Sequence, residues 1–247
     1  MNEQNNLSIT NTKLLLLIFI PSLISTALYI TIGTYWQGIP SICLFLIVFA
    51  FTLMPFELWV VLYANKKQYG KFGLKIAFTN YEKQIWWKTL LWGIVLFAFA
   101  GIISFILGAV ENKLTSGLSS WLFSKLGEYF NWNNFELIKA YPKGILIFTS
   151  ILYIITNAFV FPITEEIYFR GYLTNTMQKQ GLFVPVVISV LFSLYHFWLP
   201  FNNVFRITVF VVAYVLAYKK KDIGIAIVFH CLCNLYSSIS FIVSIFH

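Results

Sequence analysis

Thr164-Glu165-Glu166-Ile167-Tyr168-Phe169-Arg170 sets two adjacent carboxylates and an arginine into a run otherwise fit for lipid. Upstream, residues 145–163 are apolar apart from Thr149, Ser150, Tyr153, Thr156 and Asn157. Charges in such a place are costly, so they are rare and paired, and by default they mark a functional site. On a helix, Glu166 and Arg170 stand at i and i+4 and can pair, whereas Glu165 lies about 100° around the axis. One carboxylate is therefore committed to the arginine, and Glu165 is left free. Pro162 introduces an expected kink just before it.

Outward from this stretch the composition agrees. Of 247 residues 59% are hydrophobic and only 11% charged, less than half the charged share of a soluble domain, which is about 25%. This is an integral membrane protein. A net charge of +8 would suggest nucleic acid in a soluble chain. Here the basic residues fall between apolar runs and follow the rule for cytoplasmic loops, so nucleic acid is not an expected partner. The polar start of the chain leads into an apolar run without a small-residue cleavage pattern, which reads as an uncleaved first span. Cys43, Cys231 and Cys233 lie inside apolar runs and behave as small hydrophobes; Cys231-Leu232-Cys233 lacks the spacing of a zinc ligand pair.

About 20 apolar residues make one span. On that measure the sequence predicts an all-α, polytopic bundle of about seven transmembrane helices, over residues 14–33, 40–63, 89–110, 144 to about 179, 182–197, 204–218 and 223–246, the fifth and sixth being short. Lysine and arginine set the orientation. With the N-terminus inside, twelve fall toward the cytoplasm and five outside: Lys113, Lys125, Lys139, Lys143 and Arg206. The expected location is the cell membrane, multi-pass, with the lipid bilayer as surroundings and the C-terminus outside. Residues 1–143 supply the first three spans, a basic loop and an external loop; residues 144–247 form the core that carries the chemistry. Residues 65–88, basic with interleaved aromatics, suit either a segment lying against anionic headgroups or a solvated loop. Residues 111–143 read as external, with 118–132 in the interface. Glu57, near the cytoplasmic end of the second span, reads as snorkelling or locally paired.

Depth brings the polar residues together. Gln180-Gly181 reads as a helix end and Pro185 as the first turn of the next helix. Glu165 and His196 each lie about 15 residues from that turn, so both stand roughly 22 Å along their helices. In the last hairpin the turn is 219–222, and His230 and Asn234 follow roughly 12 and 18 Å along the final helix, at i and i+4 on one face. Glu165, Glu166, Arg170, His196, His230 and Asn234 thus converge on one slab opening toward the cytoplasm. Taken singly, each has a packing explanation; the convergence of six points to chemistry.

A carboxylate beside an imidazole can take a proton from water and present hydroxide to a carbonyl, and a second imidazole and an amide supply donors for an oxyanion. That equips the site for amide hydrolysis without a nucleophilic side chain. Glu165, His196 and His230 are also acceptable ligands for a Zn2+ ion that would activate the water. The residues leave both open. The His-Glu-x-x-His pattern of soluble metalloproteases is missing.

Glu165-Glu166-x-x-x-Arg170, Phe192-x-x-x-His196 and His230-x-x-x-Asn234, in that order over residues 145–238, resemble the three-motif signature of the CPBP family, the CAAX prenyl proteases and bacteriocin-processing or immunity proteins also called Abi. The resemblance implies a multi-span helical membrane endopeptidase of the CAAX prenyl protease type acting on a peptide or protein substrate. It implies that Glu165 and His196 activate water, Glu166 and Arg170 hold the site together, and His230 and Asn234 bind the oxyanion or complete a metal site. The alternative is a non-proteolytic membrane scaffold, such as a bacteriocin immunity or regulatory protein, in which the cluster only pins helices. A proton-coupled transporter is a third reading.

Overall fold

A computed structural model describes residues 8–177 and 181–247. Every regular element among them is helical. Seven helices carry the architecture: α1 (Asn11–Tyr35), α2 (Ser41–Tyr69), α3 (Trp86–Leu126), α4 (Lys143–Thr176), α5 (Phe183–Leu194), α6 (Asn203–Lys220) and α7 (Ile223–Phe246). Each of the seven apolar stretches has its helix. Five of them, α1, α2, α3, α4 and α7, are long and apolar enough to cross a membrane. The other two are the pair expected to be short. With 12 residues α5 is roughly 18 Å long, well under a hydrocarbon core of about 30 Å, and α6 carries Arg206, Lys219 and Lys220. The expected turn at Gln180 and the end of the fourth stretch at Lys179 lie outside the described residues, but Gly181 has a positive φ of 81° and Pro185 sits in the first turn of α5, as read.

Breaks in the helices have local causes. In α2 the ladder is interrupted at Thr52, with φ −121° and ψ −72°, because Pro55 offers no N–H to the Phe51 carbonyl and its ring crowds that oxygen. The Thr52 hydroxyl bonds the Val48 carbonyl at 2.7 Å at this break. α4 is composite: Lys143–Ile155 is α-helical, Thr156–Val160 is a π turn, Phe161–Glu165 returns to α, and Glu166–Leu173 is π again. The expected irregularity at Pro162 is thus met by widened turns on both sides of Phe161–Glu165. π turns of this kind re-aim side chains and are frequent at functional sites.

Two connections differ from expectation. α3 does not stop near Val110 but runs 41 residues to Leu126, so Glu111 and Lys113 are helical rather than part of an external loop. Nor does 118–132 lie flat in an interface throughout. Tyr129 and Phe130 are buried, the Tyr129 hydroxyl donates to the Ile39 carbonyl at 2.9 Å, and the Trp132 indole donates to the Tyr29 hydroxyl at 3.0 Å. The basic segment between α2 and α3 is a strap across one end of the bundle. Buried Asn65 anchors it, donating to the Lys71 carbonyl at 2.8 Å and accepting from Ile76 N at 2.9 Å. Its short 3-10 turn, Lys75–Phe78, packs on the second π turn of α4. There Gly171 is required by space, since a Cβ would stand 2.7 Å from the Ala77 Cβ and 2.9 Å from its carbonyl. The strap ends at the α6–α7 turn, where Glu82 N donates to the Lys221 carbonyl at 2.9 Å and Lys221 Nζ pairs with the Glu82 carboxylate at 2.7 Å. At the heart of the bundle α7 lies against α3, α4 and α6.

Candidate active site

Glu165 and Glu166 occupy the junction between the last α turn of α4 and its second π turn. Both carboxylates are buried, and apart from His230, which they share, they face different partners. Glu166 sits with Oε2 3.2 Å from Arg170 Nε, near enough to pair electrostatically though off the line of a hydrogen bond. Its Oε1 lies 2.9 Å from His230 Nδ1. The expected pair therefore forms, with the histidine as its third member.

Arg170 is 0% exposed, and a buried cation is costly unless its surroundings compensate. Here the compensation is aromatic. The guanidinium carbon stands 3.9 Å from the ring centre of Phe192, 5.1 Å from Phe210, 5.5 Å from Tyr214 and 5.9 Å from Phe169, a cage in which ring faces attract the charge. The backbone is held as well, the Arg170 carbonyl accepting from the Tyr81 hydroxyl at 2.8 Å and from Tyr214 at 3.3 Å.

Glu165 is not free of neighbours. The Tyr195 hydroxyl donates to its Oε1, and His230 Nε2 lies 3.7 Å from its Oε2. His230 accordingly bridges the adjacent carboxylates, one ring nitrogen toward each, and presents its ring edge-on to Phe192 and Phe210. Tyr195, next to His196, is what bonds Glu165. Nothing in a single sequence distinguishes that tyrosine from a packing residue except its place beside the histidine.

His196 stands just beyond the end of α5, in an irregular segment spanning residues 195–202. Its Nδ1 is 2.7 Å from the Phe192 carbonyl. A carbonyl can only accept, so Nδ1 carries the proton and Nε2 is the basic nitrogen. The ring packs against Tyr195, Trp198 and Phe192, and Phe192 is also the ring that His230 touches. His196 is therefore joined to the carboxylates through Tyr195 and Phe192. Beyond it, Phe197, Trp198 and Leu199 help line a cavity of about 830 Å³ bounded by α3 and the far half of α7, with Phe97, Phe123 and Phe241 on its walls.

Asn234 is placed apart from the carboxylates. Its amide donates to the Asn157 carbonyl at 2.9 Å, while the Asn157 amide donates to Ser238 Oγ at 3.1 Å. Asn157 lies in the first π turn, so the pair ties α7 to α4 at the irregular backbone. The isolated asparagine in an apolar run was the available signal, two helical turns before Glu165. Glu57 corrects the snorkelling reading: it is 1% exposed, neither oxygen has a hydrogen-bond partner, and it lies within electrostatic reach of Glu165. Being inside the bundle, it has no route to the headgroups.

Among the described residues no group of three His, Cys, Asp or Glu side chains is arranged to hold a metal ion. Both His230 nitrogens are directed at carboxylates, and the His196 Nδ1 is committed to the backbone. The set as arranged does not fit a three-donor ion.

Among known proteins, residues 147–236 match a family model described as Rce1-like, type II CAAX prenyl endopeptidase. No curated protein and no solved structure matches the chain. The matched span begins and ends within two residues of the 145–238 stretch that holds the three motifs, and both glutamates, the Tyr195–His196 pair and His230 fall inside it. Over residues 147–236 the chain is thus similar to an Rce1-like, type II CAAX prenyl endopeptidase domain, which is consistent with a CPBP-type intramembrane protease.

Proposed function

We propose that this protein is an intramembrane endopeptidase that hydrolyses a peptide bond with a water activated between Glu165 and His196. What supports the reading above all is the juxtaposition of Glu165, His230 and Glu166 with the Tyr195–His196 segment, a buried carboxylate and a basic imidazole nitrogen on adjoining elements. On this reading Glu165 takes a proton from water as its oxygen adds to the scissile carbonyl carbon. His196, with Nε2 basic, shares that proton and passes it to the nitrogen as the C–N bond breaks. The products are a free carboxylate and an amine. His230, with one ring nitrogen toward each carboxylate, orients Glu165, while Glu166, caged Arg170 and the Asn234–Asn157 tie hold its helix in register. Each step runs through the protein's own groups.

The apolar, aromatic cavity beside Trp198 suits an apolar segment of substrate, whether side chains or a lipid modification. The arrangement in the membrane follows the lysines. The strap and the Lys219–Lys221 turn share one end of the bundle, tied by Glu82 and Lys221, which supports seven helices in the bilayer with the N-terminus and that end in the cytoplasm.

The test uses purified protein in liposomes, offered a prenylated CAAX peptide and unmodified apolar peptides of matched sequence, with new carboxyl termini read by mass spectrometry. Cleavage of one set with rates unchanged by chelator is expected. Loss of rate on chelation, restored by zinc, would replace the bare-water mechanism with a metal-bound one, and cleavage of neither set would favour the scaffold reading.

A further inference from the structure

The segment 195–202 breaks helical structure between α5 and α6, and of its eight residues only Tyr195 is buried. Within a hydrocarbon layer irregular backbone is tolerated only where protein groups or water satisfy its N–H and C=O atoms. Two distant helices, and α6 itself, brace the segment and the helix ends beside it. From α1, the Ser22 hydroxyl donates to the Tyr195 carbonyl. From α3, buried Glu111 accepts from Val204 N at 2.8 Å with one oxygen and from Phe205 N at 3.0 Å with the other. From α6, buried Arg206 donates to the Ser193 carbonyl at 3.2 Å, the Leu199 carbonyl at 3.3 Å and Asn203 Oδ1 at 3.1 Å.

The signs are complementary. The α5 C-terminus exposes carbonyls and is favoured by a cation, and the α6 N-terminus exposes N–H groups and is favoured by an anion. Arg206 meets the first at Ser193, and Glu111 meets the second at Val204 and Phe205. The two arginine contacts at Ser193 and Leu199 bracket His196, whose own carbonyl accepts from Leu199 N at 3.0 Å. A planar guanidinium holds both carbonyls at fixed separation, which an ammonium cannot.

We propose that Glu111 and Arg206 are positioning residues that clamp the two helix ends flanking His196 and so fix the imidazole beside Glu165. The proposal rests on the reading of His196 as part of a catalytic site. Displacing a catalytic group by about 1 Å costs on the order of 100-fold in rate, so the clamp acts on turnover.

The experiment has two readouts on the full chain in liposomes. One is steady-state cleavage of whichever peptide the wild type cuts; the other is carbethoxylation of His196, His230 and His247 by diethyl pyrocarbonate, resolved by mass spectrometry. Arg206→Ala and Glu111→Ala are expected to lower kcat about 10- to 100-fold and to raise His196 modification several-fold without changing His230. Arg206→Lys and Asn203→Ala, milder changes that serve if the alanine variants do not fold, should fall between. Unchanged His196 modification together with unchanged kcat in any folded Arg206 variant overturns the clamp. Raised His196 modification in a protein that cleaves nothing supports the clamp and removes the endopeptidase reading instead.

Discussion

Glu165 holds three relations at once: a hydroxyl from Tyr195, an imidazole edge from His230 and the field of its neighbour Glu166. Removing the hydroxyl alone isolates the first. A hydrogen bond to a charged group contributes about 1.5–3 kcal/mol, and each 1.36 kcal/mol is tenfold in rate. Tyr195→Phe is therefore expected to lower kcat about 10- to 100-fold and, because a buried carboxylate loses a partner, to lower the melting temperature by a few degrees, measured by peptide cleavage and thermal unfolding in detergent. An unaltered rate would show that the hydroxyl does not orient the carboxylate. Within one helix the residue pattern was readable: the i,i+4 spacing foretold the Glu166–Arg170 pair, and the i,i+4 spacing of His230 and Asn234 put them on one helix. The cage around Arg170 was not, because Phe192, Phe210 and Tyr214 come from two other helices and an aromatic in an apolar run announces nothing about the cation it will meet. Asn234 shares the helix of His230 yet turns to the Asn157 carbonyl, an acceptor that depends on the π turn.

At the scale of elements, the widened turns of α4 and the strap laid over them are one construction. Gly171 permits the contact. In an ordinary exposed helix, Gly→Ala gains up to about 1 kcal/mol; here the new Cβ would meet Ala77 at 2.7 Å, and overpacking costs about 1–3 kcal/mol. Gly171→Ala should lower the melting temperature, and adding Ala77→Gly should restore only part of the loss, since the residue 77 carbonyl still stands 2.9 Å from the new Cβ; a stabilised single variant would mean the strap moves aside freely. The apolar stretches announced where helices lie, since burial in lipid or protein demands closed backbone hydrogen bonding. Their ends were less legible. Glu111 looked like the start of a loop because a lone carboxylate beside a lysine in an apolar run suggests exposure, yet it is buried against the α6 N-terminus. α5 stops at Leu194, before His196, where Arg206 takes up a carbonyl from a helix one connection away, and no glycine or proline marks the stop.

For the molecule as a whole, the strap, the α4 end and the α6–α7 turn gather at one end, and the 127–142 connection gathers at the other. Single cysteines at Lys71, Lys220 and Lys139, in a background without Cys43, Cys231 and Cys233, report the sidedness in intact cells. Lys71→Cys and Lys220→Cys should resist a membrane-impermeant maleimide until the cells are opened, while Lys139→Cys should react at once; the opposite pattern reverses the orientation. Lysine distribution made this expectation possible from sequence, whereas the convergence of α4, α5 and α7 on one site came only from counting depth along helices assumed straight. The central claim is that these three helices bring their polar side chains to one reacting water. It is tested most directly by single-turnover cleavage in liposomes by wild type, Glu165→Gln and His196→Ala, each confirmed folded by its melting curve. The account predicts that both variants lose at least about 100-fold, at the upper end of what one acid–base group contributes; cleavage at the wild-type rate by either folded variant would contradict it.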